Sequence, residues 1–222
     1  MALRNPSDLP RRRETLDARL YLLINGLPRS PYWDQQVELL SDLGKGIGWV
    51  AVSAVLALGE GARGRRAAGA SMVGMFAAVG LVQGPLKAVF RRHRPFARRL
   101  AWVVGPEPVD SSFPSGHTAG SFAAAVALAA FYPRRRPLLL GAAAGVGFSR
   151  VYLGHHFVSD VLVGAGVGAA LGRLAAGVFG ARRRQSEHRL AGGEPAQAAG
   201  GAGRDASLPE GTPAGGGRPD SR

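Results

Sequence analysis

The chain has 222 residues, a formal net charge of +13 and no cysteine. This length allows one domain with a core of useful size, and the lack of cysteine excludes disulfides and thiolate metal sites. Lysine occurs only at Lys45 and Lys87, so the charge is nearly all arginine. The arginines fall in short clusters between apolar stretches without aromatic interleaving, a pattern of membrane-flanking loops rather than of a nucleic-acid groove.

Residues 1–12 contain Pro6, Pro10, Arg11 and Arg12 and are expected to be disordered. No signal peptide is read there, because the first apolar stretch is short and interrupted by Asp17 and Arg19. Residues 14–27 predict an amphipathic helix with Leu16, Leu20, Leu23 and Leu27 on one face. It is expected to lie along the membrane interface or to pack on a bundle, although a short soluble-type helix has the same pattern. Five longer apolar segments follow, at roughly 43–60, 67–89, 117–132, 137–153 and 157–179. A bilayer-crossing helix needs about 20 apolar residues. The second and fifth segments meet this, while the third and fourth count only because polar residues extend their ends. All are rich in Gly and Ala, which let helices approach closely in lipid. Gly164, Gly168 and Gly172 recur every four residues and predict a helix-packing face.

The expected fold is therefore all-α: a polytopic membrane helix bundle of about five transmembrane helices plus an N-terminal amphipathic helix. That first helix becomes a sixth span if residues 14–31 cross. The bundle is expected over residues 13–181. The tail over 182–222 is Gly, Ala, Pro, Arg and Ser with little else apolar, and is expected to stay disordered.

Polar residues that interrupt or cap membrane segments are costly and usually functional. They form three clusters. Lys87 and Arg94, followed by Pro95, stand seven apart, about two helical turns and one face. Two fixed cations suit a phosphate, although a positively charged membrane flank explains Arg91, Arg92, Arg98 and Arg99 equally well. Next comes Pro114-Ser115-Gly116-His117, just before the third segment. Ser115 can cap that helix, and Gly116 lets an anion approach the free N–H groups of its first turn. His117 stands where it could donate a proton. An ordinary cap with an interfacial histidine fits the same four residues. Third are Ser149-Arg150, His156 and Asp160. His156 and Asp160 are i,i+4 on an opening helical turn, so the carboxylate can fix the imidazole tautomer and leave the other nitrogen as a nucleophile. Arg150 adds a third cation. His93 and His155 lie beside these positions and read as structural or interfacial.

Together the clusters read Lys-x6-Arg-Pro, Pro-Ser-Gly-His and Ser-Arg-x5-His-x3-Asp, in order, between Lys87 and Asp160. This resembles the type 2 phosphatidic acid phosphatase superfamily, which also includes the vanadium haloperoxidases. The match covers about a third of the chain, and three independent spacings agree. The resemblance implies an α-helical membrane bundle that hydrolyses phosphomonoesters or pyrophosphates of a lipid without metal. It implies His156 as nucleophile, Asp160 as the residue that orients it and His117 as general acid. Lys87, Arg94, Ser115, Gly116 and Arg150 are implied as phosphate ligands.

The segment count places all three clusters on one membrane face. No cofactor and no metal are expected: Asp110 and Asp160 are the only carboxylates nearby, and Asp160 is committed to His156. The expected partners are a lipid phosphate substrate and membrane lipids, with no nucleic acid. Phosphatidate, phosphatidylglycerol phosphate, polyprenyl (pyro)phosphate and polyprenyl-phosphosugar phosphates all fit, with a slight preference for the polyprenyl class. A lipid phosphotransferase, a non-catalytic headgroup-binding protein and a haloperoxidase are the alternative readings. Arg63, Arg65 and Arg66, Arg134 to Arg136, and Arg182 to Arg184 all fall on the face opposite the clusters. The positive-inside rule makes that face cytoplasmic, with the site outside at the plasma membrane. The N-terminal arginines and the basic site loop pull the other way.

Overall fold

The computed structural model describes residues 15–98 and 102–191. All the elements it describes are helical: α1 Leu16–Asn25, α2 Pro31–Leu43, α3 Ile47–Gly59, α4 Gly61–Leu81, α5 Lys87–Val89, α6 Gly116–Phe131, α7 Arg136–Tyr152 and α8 Val158–Ala191. Residues 1–12, expected to be disordered, lie outside the described residues, as do 192–222. α8 runs on to Ala191, past the boundary expected at 182. The Ala, Arg, Gln, Glu and Leu residues there are strong helix formers, and nothing in the sequence stops the helix before Gly192.

α6 is the central helix, packed against α4, α7 and α8. Small residues make this possible. A Cβ on Gly168 would lie 2.1 Å from the Ala119 carbonyl oxygen, and one on Gly172 2.3 Å from that of Ala123. The four-residue glycine repeat therefore presses α8 directly onto the backbone of α6. A second core layer joins α3, α4, α6 and α7 through Trp49, Leu56, Met75, Leu128 and Ala143, with Tyr132 between α6 and α7. The Trp49 indole donates to Ser121 Oγ at 3.0 Å, so its polar edge is satisfied.

α4 passes through a π-helical turn, Val82–Leu86, into α5. Pro85 lies inside that turn. It has no N–H to continue the α-helical ladder, and a wider turn absorbs the break. The combined helix Gly61–Val89 and the Val158–Gly180 part of α8 are each long and apolar enough to cross a membrane. α2 and α3, bent by 57° at residues 44–46, count as a third span if taken together. α6 and α7 are shorter, at 16 and 17 residues.

Among residues 15–31 no helix is long enough by itself for a sixth span. α1 has 10 residues, about 15 Å of helix, and roughly 30 Å is needed. Its leucine face points outward, with Leu16 73% and Leu23 70% exposed. The opposite face docks. Tyr21 packs edge-on to Phe157, and the Asn25 amide donates to the Trp102 and Tyr152 carbonyls, both at 2.9 Å. α1 thus docks on the bundle through Tyr21 and Asn25 and turns its leucine stripe to the surroundings, the arrangement of an interfacial helix.

The two ends of the bundle differ. At one, Arg63 donates to the Phe131 carbonyl and covers the Tyr132 ring, and Arg135 pairs with Glu60 at 3.6 Å, tying the α3–α4 and α6–α7 junctions together. At the other lie the end of α5, the start of α6 and the α7–α8 junction, which carry the three polar clusters.

Candidate active site

The first cluster departs from its expected form. Lys87 is helical, but the helix stops at Val89 and Arg94 sits in an irregular segment. Arg94 precedes Pro95, and a residue before proline is sterically pushed out of the α region. The two cations meet all the same. Lys87 Nζ and the Arg94 guanidinium both pair with the Asp110 carboxylate. Burial works against ionisation of Asp110, but hydrogen bonds from Lys87 and Arg94 outweigh it and hold the carboxyl below its ordinary range. A cleft of about 460 Å³ lies over these groups, with Glu107, Asp110 and Ser111 along its other wall.

In the second cluster Ser115 takes the N-cap position of α6 without capping by its side chain. Its Oγ instead accepts from Thr118 Oγ at 2.9 Å, and its N–H donates to the Asp160 carbonyl at 3.0 Å. The first-turn N–H groups of α6 therefore have no side-chain acceptor, as an anion site requires. The Phe113–Pro114 peptide is cis. His117 follows in the first turn, its Nε2 shielded from solvent and without a hydrogen-bond partner among the described residues.

The third cluster changes most. α8 begins at Val158, so His156 lies before the helix rather than on its first turn. Gly154 makes the sharp entry possible. It has φ +88°, and a Cβ there would stand 2.3 Å from the Trp102 carbonyl oxygen. The His156 ring turns its Nδ1 to the Ser112 carbonyl at 2.7 Å, and Asp160 Oδ2 is farther away at 3.6 Å. A carbonyl can only accept, so Nδ1 carries the proton and Nε2 holds the free lone pair. Nε2 faces Arg94 Nη1 at 3.4 Å. Burial, then the charges of Arg94, Arg150 and Lys87, hold His156 well below its ordinary pKa and keep the imidazole neutral. The neighbouring His155 is held down to about 4, by burial first and then by Arg150 and Arg94.

Asp160 has other partners besides His156. Its Oδ2 accepts the Phe157 N–H at 2.9 Å, the back-bond of a capping box at the start of α8. Its Oδ1 lies 2.6 Å from Arg92 Nη1. Arg92 also reaches Asp17 Oδ2 at 2.6 Å and covers the Phe157 ring. Asp17, on α1, accepts from the Ser159 N–H at 2.9 Å and from Ser159 Oγ at 2.6 Å. Burial opposes the charge on Asp17, but these bonds hold its carboxyl below the ordinary range. Arg150 is buried and donates to Ser41 Oγ of α2 at 2.6 Å, and its Nε has no partner among the described residues.

Three contributors thus escape the reading by residue type. Arg92 has the look of a membrane flank, Asp17 of an interruption in an amphipathic helix, and Ser112 acts through its main chain. Ser112 leaves no sequence signal. Asp17 leaves one, because it stands off the leucine stripe of α1. Among the described residues, no three His, Asp or Glu side chains are grouped to hold a metal ion.

Residues 68–184 match the model of the PAP2 superfamily. The decaprenylphosphoryl-5-phosphoribose phosphatase of Mycolicibacterium smegmatis is 36% identical over 163 residues, 71% of this chain and 84% of that protein. Undecaprenyl-diphosphatase BcrC of Bacillus subtilis is 35% identical over 89 residues, 39% of this chain, and the match spans only 45% of the Bacillus protein. The crystal structure of Aquifex aeolicus LpxE has a TM-score of 0.61 at 26% identity, covering 75% of this chain and 98% of that one.

Proposed function

The chain belongs to the PAP2 superfamily, and from that premise we propose that it is a multi-pass membrane phosphatase releasing phosphate from a lipid phosphomonoester or pyrophosphate. The reading takes α2 with α3 as one span, and α4 with α5, α6, α7 and α8 as the other four. One observation carries it. His156 presents a neutral Nε2, its tautomer fixed by Ser112, toward the Arg94 guanidinium, and a second histidine, His117, stands in the first turn of α6.

In the proposed cycle the phosphoryl group takes the place of the Asp110 carboxylate between Lys87 and Arg94. Arg150 and the first-turn N–H groups of α6, at Gly116 and His117 after Ser115, complete the cradle. The His156 Nε2 lone pair attacks phosphorus in line, the P–O bond to the leaving group breaks, and His117 gives that oxygen its proton. His117, now neutral, takes a proton from water as the water oxygen attacks phosphorus. The N–P bond breaks, and phosphate leaves with His156 restored. Charge on the transferring group is met by fixed cations and dipoles, the main resource in phosphoryl transfer.

Two of the relatives named above are phosphatases of polyprenyl-linked phosphates, which supports that lipid class here. The test is phosphate release by the detergent-solubilised full chain, with EDTA present, from a panel of polyprenyl phosphates, polyprenyl pyrophosphates and phosphatidate. Turnover in EDTA with a preference for the polyprenyl lipids is expected. Strict dependence on added magnesium would count against the site as described.

Arg92 and Asp160 are positioning residues in this reading, acting on His156 through the start of α8. Arg92→Ala is expected to lower kcat by about 10²-fold, the scale of a 1 Å misplacement. KM should change little, and Arg92→Lys should recover part of the loss. Wild-type kcat in Arg92→Ala would refute the role.

The site is proposed to face outward across the plasma membrane, with the Arg63 to Arg66 and Arg134 to Arg136 clusters in the cytoplasm. A reporter fused after residue 222 is expected to read as cytoplasmic; an extracytoplasmic signal would invert the orientation.

A further inference from the structure

We infer that a groove between α6, α7 and α8, at the end of the bundle away from the catalytic site, binds the headgroup of an anionic phospholipid. Phe122, Val126, Leu140, Ala176, Arg136 and Arg173 line a cavity of about 730 Å³ there. Nothing acidic is among the described residues around it.

Arg173 is the key residue. It lies inside the Val158–Gly180 span, and after Asp160 it is the only ionisable residue in that span. A charged side chain in such a place is costly unless it finds a partner, a cavity or the headgroup layer, and it is a functional marker by default. No hydrogen bond or ion pair to Arg173 exists among the described residues. The register of the bundle places it. Gly168 meets Ala119 and Gly172 meets Ala123, so α6 and α8 run in parallel from the catalytic end. Arg173 then stands about 10 Å short of Gly180, seven residues at 1.5 Å each.

Arg136 opens α7 at the far end of the same groove. Two other arginines of that end are engaged, Arg63 with the Phe131 carbonyl and Arg135 with Glu60. Arg136, like Arg173, has no partner among the described residues. Two unpaired cations therefore share a groove whose remaining wall is apolar. A phosphodiester headgroup between the arginines, with an acyl chain over Phe122, Val126 and Leu140, satisfies both. Basic pockets between membrane helices recognise lipid headgroups in this way. The site is separate from the catalytic cradle and takes a lipid that the enzyme does not cleave.

The test uses the full chain in detergent, titrated with phosphatidylglycerol or phosphatidylcholine and read by native mass spectrometry and thermal midpoint. Phosphatidylglycerol should be retained and should raise the midpoint more than phosphatidylcholine. Arg136→Gln and Arg173→Gln should each weaken retention about fivefold, while Arg94→Ala, in the catalytic cradle, should not. Equal retention of the two lipids by the wild type would overturn the inference, as would loss in Arg94→Ala alone. If Arg173→Gln fails to fold, Arg136→Gln at the rim decides by itself, and unchanged phosphatidylglycerol retention there would also overturn it.

Discussion

Replacing His156 by alanine is expected to lower phosphate release from a lipid phosphate by about 10⁴-fold or more, the scale seen when a nucleophile is deleted. The cations remain in that variant, because Lys87 and Arg94 are held together by Asp110 and not by the imidazole. Substrate binding should therefore survive while turnover does not. The His156 ring is 2% exposed, so its loss leaves a buried gap and the folded fraction must be measured alongside. His156→Asn removes that ambiguity. Its side-chain amide can still donate to the Ser112 carbonyl, but it offers no ring nitrogen to phosphorus. Phosphate release from either folded variant at the wild-type rate would remove His156 from the mechanism.

His117→Ala is expected to cost about 10² to 10⁴-fold on lipid substrates, the usual range for a general acid. The loss should depend on the leaving group. An alkoxide leaves poorly without a proton, whereas an aryl oxide such as nitrophenolate leaves unaided. With an aryl phosphate, formation of the phosphoenzyme should be slowed by less than about tenfold, and its hydrolysis, which needs His117 as base, should become limiting. Rapid-quench kinetics would then show a burst of the phenol followed by slow release of phosphate. Equal losses across leaving groups would contradict His117 as the proton donor.

The residues proposed for the site were legible as three clusters, because phosphate chemistry needs particular side chains and membrane segments set which end each occupies. How they meet was less legible. The spacing of Lys87 and Arg94 suggested one helix face, yet Pro95 ends that geometry, and an aspartate later in the same α5–α6 connection brings the two cations together. The spacing of His156 and Asp160 suggested a direct pair; the helix starts two residues later, Asp160 Oδ2 stays 3.6 Å from Nδ1, and a main-chain carbonyl accepts the imidazole N–H. Main-chain groups carry no residue-type signal, so Ser112 could not be singled out. α2 was missed for another reason. Its polar residues Asp34, Gln35, Gln36, Glu38 and Asp42 break any apolar run. Ser30 at the N-cap and Pro31 in the first turn were the signals that mark its start. The glycine repeat of α8 fared better, since only bare backbone fits where Gly168 and Gly172 cross α6.

α1 carries a related lesson. Its leucine stripe is easily seen, but the residues that tie it to the site are the polar ones between the leucines. Asp17 holds Arg92 and the first turn of α8, and Asn25 holds the turn after α7. An element lying before the matched family region 68–184 thereby braces the segment that carries His156 and Asp160.

Trapping the covalent intermediate tests the mechanism most directly. Full-length protein turning over a radiolabelled lipid phosphate or aryl phosphate would be quenched in base, digested and mapped. Label that survives base, is lost in acid and maps to position 156 is the predicted result, with more of it in His117→Ala. Steady turnover with label on a carboxylate, or with none on the protein in His117→Ala, would contradict it.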